Sequence, residues 1–192
     1  MREEKLHNMK RSSMFGQLIG AAVLLAGLGA TSAFGQTFAG TGTTTLSVAV
    51  AAEAAIAINT STTNLTTTGT TFADFTGSTN FTYKLRTSAA SGTGSVVLQI
   101  TSDFNGTGGP KVATPPTSGD ALTYTCTVAS GTACSSAQTA STSATTSVAS
   151  FGADAHSAKA GDSGSVSWTL TNDPVYKTGT YTATATFTIS AT

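Results

Sequence analysis

The residues with the clearest catalytic potential lie in one stretch of the last third of the chain. Gly161-Asp162-Ser163-Gly164 is a tetrapeptide of the kind that surrounds a nucleophilic serine in hydrolases. Such a serine needs a histidine that can reach it and an acid that orients the histidine. The nearest histidine, His156, lies only seven residues upstream of Ser163, in the same predicted loop. We interpret the tetrapeptide as a turn leading into a strand and predict that the chain is not an enzyme.

Two groups of side chains have donor atoms suited to a metal ion. Asp154, His156 and Asp162 could present an Asp-x-His pair with a third ligand. Asp103 and Asn105 precede a glycine, as calcium ligands often do, but no glutamate closes a twelve-residue loop. We interpret both groups as solvated turns, and the sequence predicts neither a metal nor another cofactor.

Aromatic side chains are the remaining candidates for ligand contact. Four of them fall in phase with the aliphatic residues of their own runs, which favours core packing: Tyr83, Tyr124, Trp168 and Tyr181. Phe72 and Phe75 are expected to plug the edge of the core. Tyr176 and Phe75 fall out of phase with a strand and are the better candidates for contact with a ligand. Tyr176 is therefore our candidate for contact with a ligand such as a sugar.

The only two cysteines, Cys126 and Cys134, are expected to form a disulfide. An even number of cysteines is typical of exported proteins with disulfides. Closing this nine-residue ring stabilises by about 2.5 kcal/mol in the loop-entropy model. A metal site is the alternative, but it would lack a third sulfur ligand.

The first 33 residues have the pattern of a secretory signal peptide. Basic residues precede the apolar run 18–30, and Thr31-Ser32-Ala33 supplies small residues for cleavage after Ala33. The run is thirteen residues long, short of the roughly 20 that span a bilayer. We expect export to the periplasm, cell surface or exterior, with no membrane insertion after the signal is removed. Residues 34–45 are expected to form a flexible segment.

Charge on the remaining chain is sparse. Beyond residue 33 there are five lysine or arginine residues against seven aspartate or glutamate residues, scattered along the sequence. This provides no electrostatic footprint for nucleic acid or an anionic membrane. Threonine and serine must therefore supply most of the polar surface, and threonine also favours strands.

Residues 46–192 are expected to form one domain built from strands. Apolar residues recur at every second position in several runs, as in Val166, Trp168 and Leu170. We predict an all-β fold, an antiparallel immunoglobulin-like β-sandwich of about seven to nine strands. Residues 80–87 and 95–101 are expected to pair as a hairpin. Leu46, Val48 and Val50 are expected to lie in a strand that bends near Glu53 and continues as a second short strand.

The opening run Thr44–Val50 and the closing run Gly179–Ile189 resemble those of small secreted bacterial sandwiches, the pilin-like and spore coat protein U-like domains. The resemblance implies a non-catalytic structural or adhesive subunit of a surface fibre or coat. It also implies that residues 37–50 could be lent to the open sheet edge of a neighbouring copy or another surface subunit. Leu46, Val48 and Val50 would then form a strand-exchange segment; the alternative is that they form the domain's own first strand. The alternative function is an extracellular carbohydrate-binding module.

Overall fold

Ten β-strands contain all the regular structure between residues 41 and 192, the part of the chain that the computed structural model describes. They are β1 (Glu53–Ile58), β2 (Thr66–Thr67), β3 (Phe75–Arg86), β4 (Gly94–Ser102), β5 (Leu122–Val128), β6 (Thr132–Ala133), β7 (Gln138–Thr139), β8 (Thr146–Phe151), β9 (Asp162–Leu170) and β10 (Thr184–Ala191). Within this range no helix is long and apolar enough to cross a membrane. The predicted signal peptide lies outside the described residues.

The chain divides into two units, Met1–Leu46 and Ser47–Thr192. The described part of the first, residues 41–46, has no regular secondary structure. The second unit contains all ten strands.

The strands form two antiparallel sheets that pack as a sandwich. The first sheet has the order β1-β3-β9-β5-β7, with β2 pairing with the start of β3, and the second has the order β10-β4-β8-β6. An immunoglobulin sandwich places strands A, B, E and D in one sheet and C, F and G in the other. Here β1-β3-β9-β5 corresponds to A-B-E-D, and β4 and β10 correspond to C and F. The predicted immunoglobulin-like fold is confirmed.

Alternating side chains of both sheets fill the core. The largest fully buried ones are Tyr83, Tyr124, Phe81, Leu98, Val96, Val148 and Val166. The Tyr124 ring lies 5.4 Å from that of Trp168. At Gly164 a Cβ atom would come within 2.3 Å of the Phe81 ring, so the strand interior needs glycine there. The predicted core positions Tyr83, Tyr124 and Trp168 are therefore confirmed.

The predicted hairpin of residues 80–87 and 95–101 is wrong, although both segments are strands. β3 belongs to the first sheet and β4 to the second, so the turn between them crosses from one sheet to the other. The alternation of apolar and polar residues predicts which face of a strand is buried but not which strand it pairs with. A turn of seven residues is long enough to span the roughly 10 Å between packed sheets.

The expected strand at Leu46–Val50 is also wrong. Residues 41–52 have no strand, and the first strand begins at Glu53, where we expected a bend. Leu46, Val48 and Val50 are 92%, 85% and 64% exposed. The alternation of this segment is therefore not used within its own domain.

The predicted disulfide between Cys126 and Cys134 is confirmed, with Cα atoms 5.5 Å apart. Cys126 lies on β5 of the first sheet. Cys134 follows β6 of the second sheet and donates its N–H to the Val148 carbonyl. The bridge therefore joins the two sheets along the side of the sandwich opposite β1 and β10.

Candidate functional site

The most unusual feature of the fold is the free edge of β10. The strand pairs with β4 on one side, and no strand in residues 41–192 pairs with its other side, where an immunoglobulin domain has strand G. Sheet edges are usually protected by shortness, charge or proline. Most other edges here are two-residue strands, and β1 carries Glu53, but β10 spans eight residues without charge or proline. β1, the edge strand of the first sheet, lies beside β10 without pairing with it, so the N–H and C=O groups of this edge have no strand partner in residues 41–192.

The core beside that edge is incompletely covered. On β4, the inward-facing Val96 and Leu98 are fully buried. Their partners on β10, Ile189 and Phe187, face the same core but are only half-buried. β4 is flanked by strands on both sides, whereas β10 is the edge of its sheet, and its inward-facing side chains are correspondingly less covered.

A cleft of about 800 Å³ opens into this uncovered part of the core. One wall is the connection after β1, residues 60–65, and the other is the stretch 176–185 leading into β10. Core side chains form the floor, among them Trp168 and Phe187. The cleft therefore lies between the two sheets on the side where β1 and β10 form their edges.

A hydrogen-bonded chain fixes one wall of the cleft to its floor. The Trp168 indole N–H donates to the Thr79 hydroxyl at 2.9 Å, and that oxygen lies 2.6 Å from the Thr63 hydroxyl. Thr79 is buried, so these two partners meet its need for hydrogen bonds. The wall is thereby held in place without charged groups.

The stretch before β10 is held by a glycine-rich loop instead of a strand. Thr182 donates its N–H to the Asn105 side-chain oxygen at 2.8 Å, and Asn105 donates its N–H to the Thr182 carbonyl at 3.1 Å. The Tyr181 ring covers Gly109, where a Cβ would come within 2.1 Å of it. Strand pairing therefore begins only at Thr184, five residues after the start of the closing run at Gly179, which has the alternation of a strand.

Three of the aromatic side chains that line the cleft lie in connections next to the end where β10 starts, which we call the mouth: Phe72, Tyr176 and Tyr181. The Tyr181 hydroxyl donates to the Lys177 carbonyl at 2.8 Å. Phe72 is 56% exposed and has a φ of 59°, a left-handed conformation that is unfavourable for a bulky residue. The expectation that Phe72 plugs the core edge is wrong, whereas Phe75 does pack partly buried against the core.

The predicted ligand-contact residue, Tyr176, is half-buried and lines this cleft. Its hydroxyl donates to the buried Asp120 carboxylate at 2.8 Å. Burial, and then the hydrogen bond and the negative charge of Asp120, raise the pKa of Tyr176 well above its ordinary value. The Thr117 hydroxyl and the Val175 N–H hold the pKa of neighbouring Asp173 below its usual range. Tyr176 therefore stays neutral, with its ring fixed at the cleft.

The other sequence candidates have local structural roles. The Asp162 carboxylate accepts hydrogen bonds from the Ser130 hydroxyl and the Ala158 N–H, and a His156 ring nitrogen lies 2.9 Å from the Asp154 carbonyl oxygen. In residues 41–192 no three His, Cys, Asp or Glu side chains come together as metal ligands.

At the candidate calcium site, the Asp103 carboxylate accepts hydrogen bonds from the N–H groups of Phe104, Val112 and Ala113. It organises the loop after β4.

Sequence reasoning missed two residues of the mouth. Tyr181 is predicted to face the core and does pack partly buried against it, but because it lies before the first paired residue of β10 it also lines the cleft. Nothing in the local sequence marks Phe72 as exposed. The proline and glycine residues of the segment 105–110 do predict the loop that positions Tyr181.

No known protein family, curated protein or solved structure matches this chain. Its class is therefore defined by its fold and by the free edge of β10 with the cleft beside it, which together we call the groove. It is an immunoglobulin-like β-sandwich whose second sheet lacks a strand beside β10 in the described residues.

Proposed function

We propose that the chain is an exported, non-catalytic structural subunit that assembles by β-strand addition, its open groove accepting residues 43–50 of a second copy. The observation that supports this best is the eight-residue uncharged edge of β10 beside a half-covered core. Unpaired N–H and C=O groups along an edge are a template for another strand. An added strand would complete both the sheet and the core.

The segment 43–50 has the side chains that such a groove requires. Leu46, Val48 and Val50 are spaced by two, so in an extended strand they point to one face, with Ser47 and Ala49 on the other. Each of the three aliphatic side chains would gain about 2 kcal/mol on burial. The segment contains no charge and no proline to oppose strand pairing.

The direction of the added strand decides the form of the assembly. Glu53 pairs with Arg86 at the end of the sandwich where Ala191, the last residue of β10, pairs with Gly94. A segment donated antiparallel to β10 therefore ends at the opposite end of the acceptor domain, and the donor domain follows there. Repetition gives an open, head-to-tail fibre, whereas a parallel segment would bring like ends together. We favour the antiparallel arrangement because strand G has that direction in a complete sandwich.

Export is part of the same proposal. A disulfide joining the sheets is typical of proteins that fold in oxidising compartments. The signal-like pattern of residues 1–33 indicates the route. The protein would then act in the periplasm, on the cell surface or outside the cell.

The mass of the exported, non-reduced protein tests this function. We expect light scattering to give multiples of the subunit mass, and an unheated denaturing gel to show a ladder that collapses on boiling. A variant lacking residues 43–50 should be monomeric. A full chain that is monomeric at every concentration would contradict the proposal.

A further inference from the structure

We propose that the aromatic mouth of the cleft is a binding site for a neutral oligosaccharide, a second activity that does not depend on strand addition. The site is formed by Phe72, Tyr176 and Tyr181 together with the hydroxyl and amide groups beside them. It gives the subunit an adhesive role in addition to a structural one.

Two of the three rings are held in place before any ligand arrives. Tyr176 is anchored through Asp120, and Tyr181 is fixed by its hydrogen bond to the Lys177 carbonyl. Phe72 keeps more than half of its surface exposed although its backbone is in the left-handed region. A strained, exposed aromatic residue indicates a functional constraint, because neither burial nor backbone preference accounts for it.

The rest of the lining matches the chemistry of a sugar. A sugar ring presents C–H groups, which pack on aromatic faces, and an edge of hydroxyls, which exchange hydrogen bonds. Asn64, Asn172 and Thr180 supply uncharged donors and acceptors in the same cleft. Among residues 41–192 the acidic and basic side chains that line it are Asp173 and Lys177, one of each sign. The balance favours a neutral ligand over a sulfated, phosphorylated or nucleic acid chain.

The mouth is distinct from the part of the groove that would receive a strand. β10 begins at Thr184, and all three rings belong to segments outside the strands, at the end of the sandwich where β10 starts. A strand paired along β10 would cover Phe187 and Ile189. The rings lie beyond the first paired residue, so the added strand does not cover them, and the site is fully accessible in the unassembled subunit.

Affinity electrophoresis of the full chain tests the proposal, with native gels containing mannan, dextran, xylan or laminarin. We expect at least one of these neutral polysaccharides to retard the protein. Phe72→Gly removes a ring while giving the left-handed backbone the residue that best tolerates it, so this variant should fold. It should need about tenfold more polysaccharide for equal retardation, the effect of one stacked ring.

Val175→Ala is the matched control, since Val175 is an exposed apolar residue next to Tyr176 that does not line the cleft. Its retardation should equal that of the unmodified chain. The proposal is overturned if no neutral polysaccharide retards the protein. It is also overturned if heparin alone does, or if Phe72→Gly behaves like Val175→Ala.

Discussion

Val48→Asp is expected to leave the protein monomeric. In the proposed assembly Val48 is the central side chain of the donated strand and enters the core of a second copy. The substitution removes about 2 kcal/mol of apolar burial and places a carboxylate in an apolar site at a cost of several kcal/mol. Together these effects weaken association by on the order of a thousandfold or more. Light scattering and an unheated gel measure the change.

Ser47→Asp is the matched control for Val48→Asp. It adds the same charge one residue earlier, on the face of the donated strand that points to solvent. It should assemble like the unmodified chain. If both variants assemble equally, or both fail, the phase of this segment has no part in assembly and the proposed register is wrong.

Trp168→Ala is expected to destabilise the domain by about 3–5 kcal/mol, the usual cost of removing a large buried aromatic side chain. Trp168 is 5% exposed, packs on Tyr124 and donates to Thr79. Since a domain of this kind has only about 5–15 kcal/mol of stability, much of the variant could be unfolded at 37 °C. Urea unfolding of the monomeric Val48→Asp background measures the loss.

Trp168→Phe separates packing from hydrogen bonding at the same position. It keeps much of the ring volume but removes the N–H donor, and the Thr79 hydroxyl retains Thr63 as a partner. We expect a loss of about 1–2 kcal/mol. A Trp168→Ala variant as stable as Trp168→Phe would show that the floor of the cleft is not part of the core.

The recurrence of apolar residues at every second position predicts most of this fold because each long strand has one buried face. Phe81, Tyr83 and Leu85 illustrate this, as do Val166, Trp168 and Leu170, and all six are buried. Strand pairing is not predictable in the same way. β3 and β4 have hairpin-like spacing but lie in different sheets, because the choice between turning back and crossing over depends on the whole core.

The candidate site is predictable only in part for a related reason. Leu46, Val48 and Val50 alternate as regularly as any core strand, which shows that the segment can pair but not where. The open edge of β10 depends on what lies beside it, and its sequence alone would fit a central strand. Tyr176 is predictable as a candidate because it is out of phase with the neighbouring strands. The presence of Tyr181 and Phe72 in the cleft is not predictable, because it depends on where the loops end and the strands begin.

Hydrogen exchange along β10 tests most directly whether its free edge accepts the segment. A synthetic peptide of residues 43–52 would be added to the monomeric Val48→Asp chain, with a scrambled peptide as control. Alternate amides of Thr184–Ala191 point to the free edge. With peptide at about ten times its dissociation constant, their exchange should slow about tenfold. Unchanged exchange along β10 at saturating peptide would contradict strand addition at this edge.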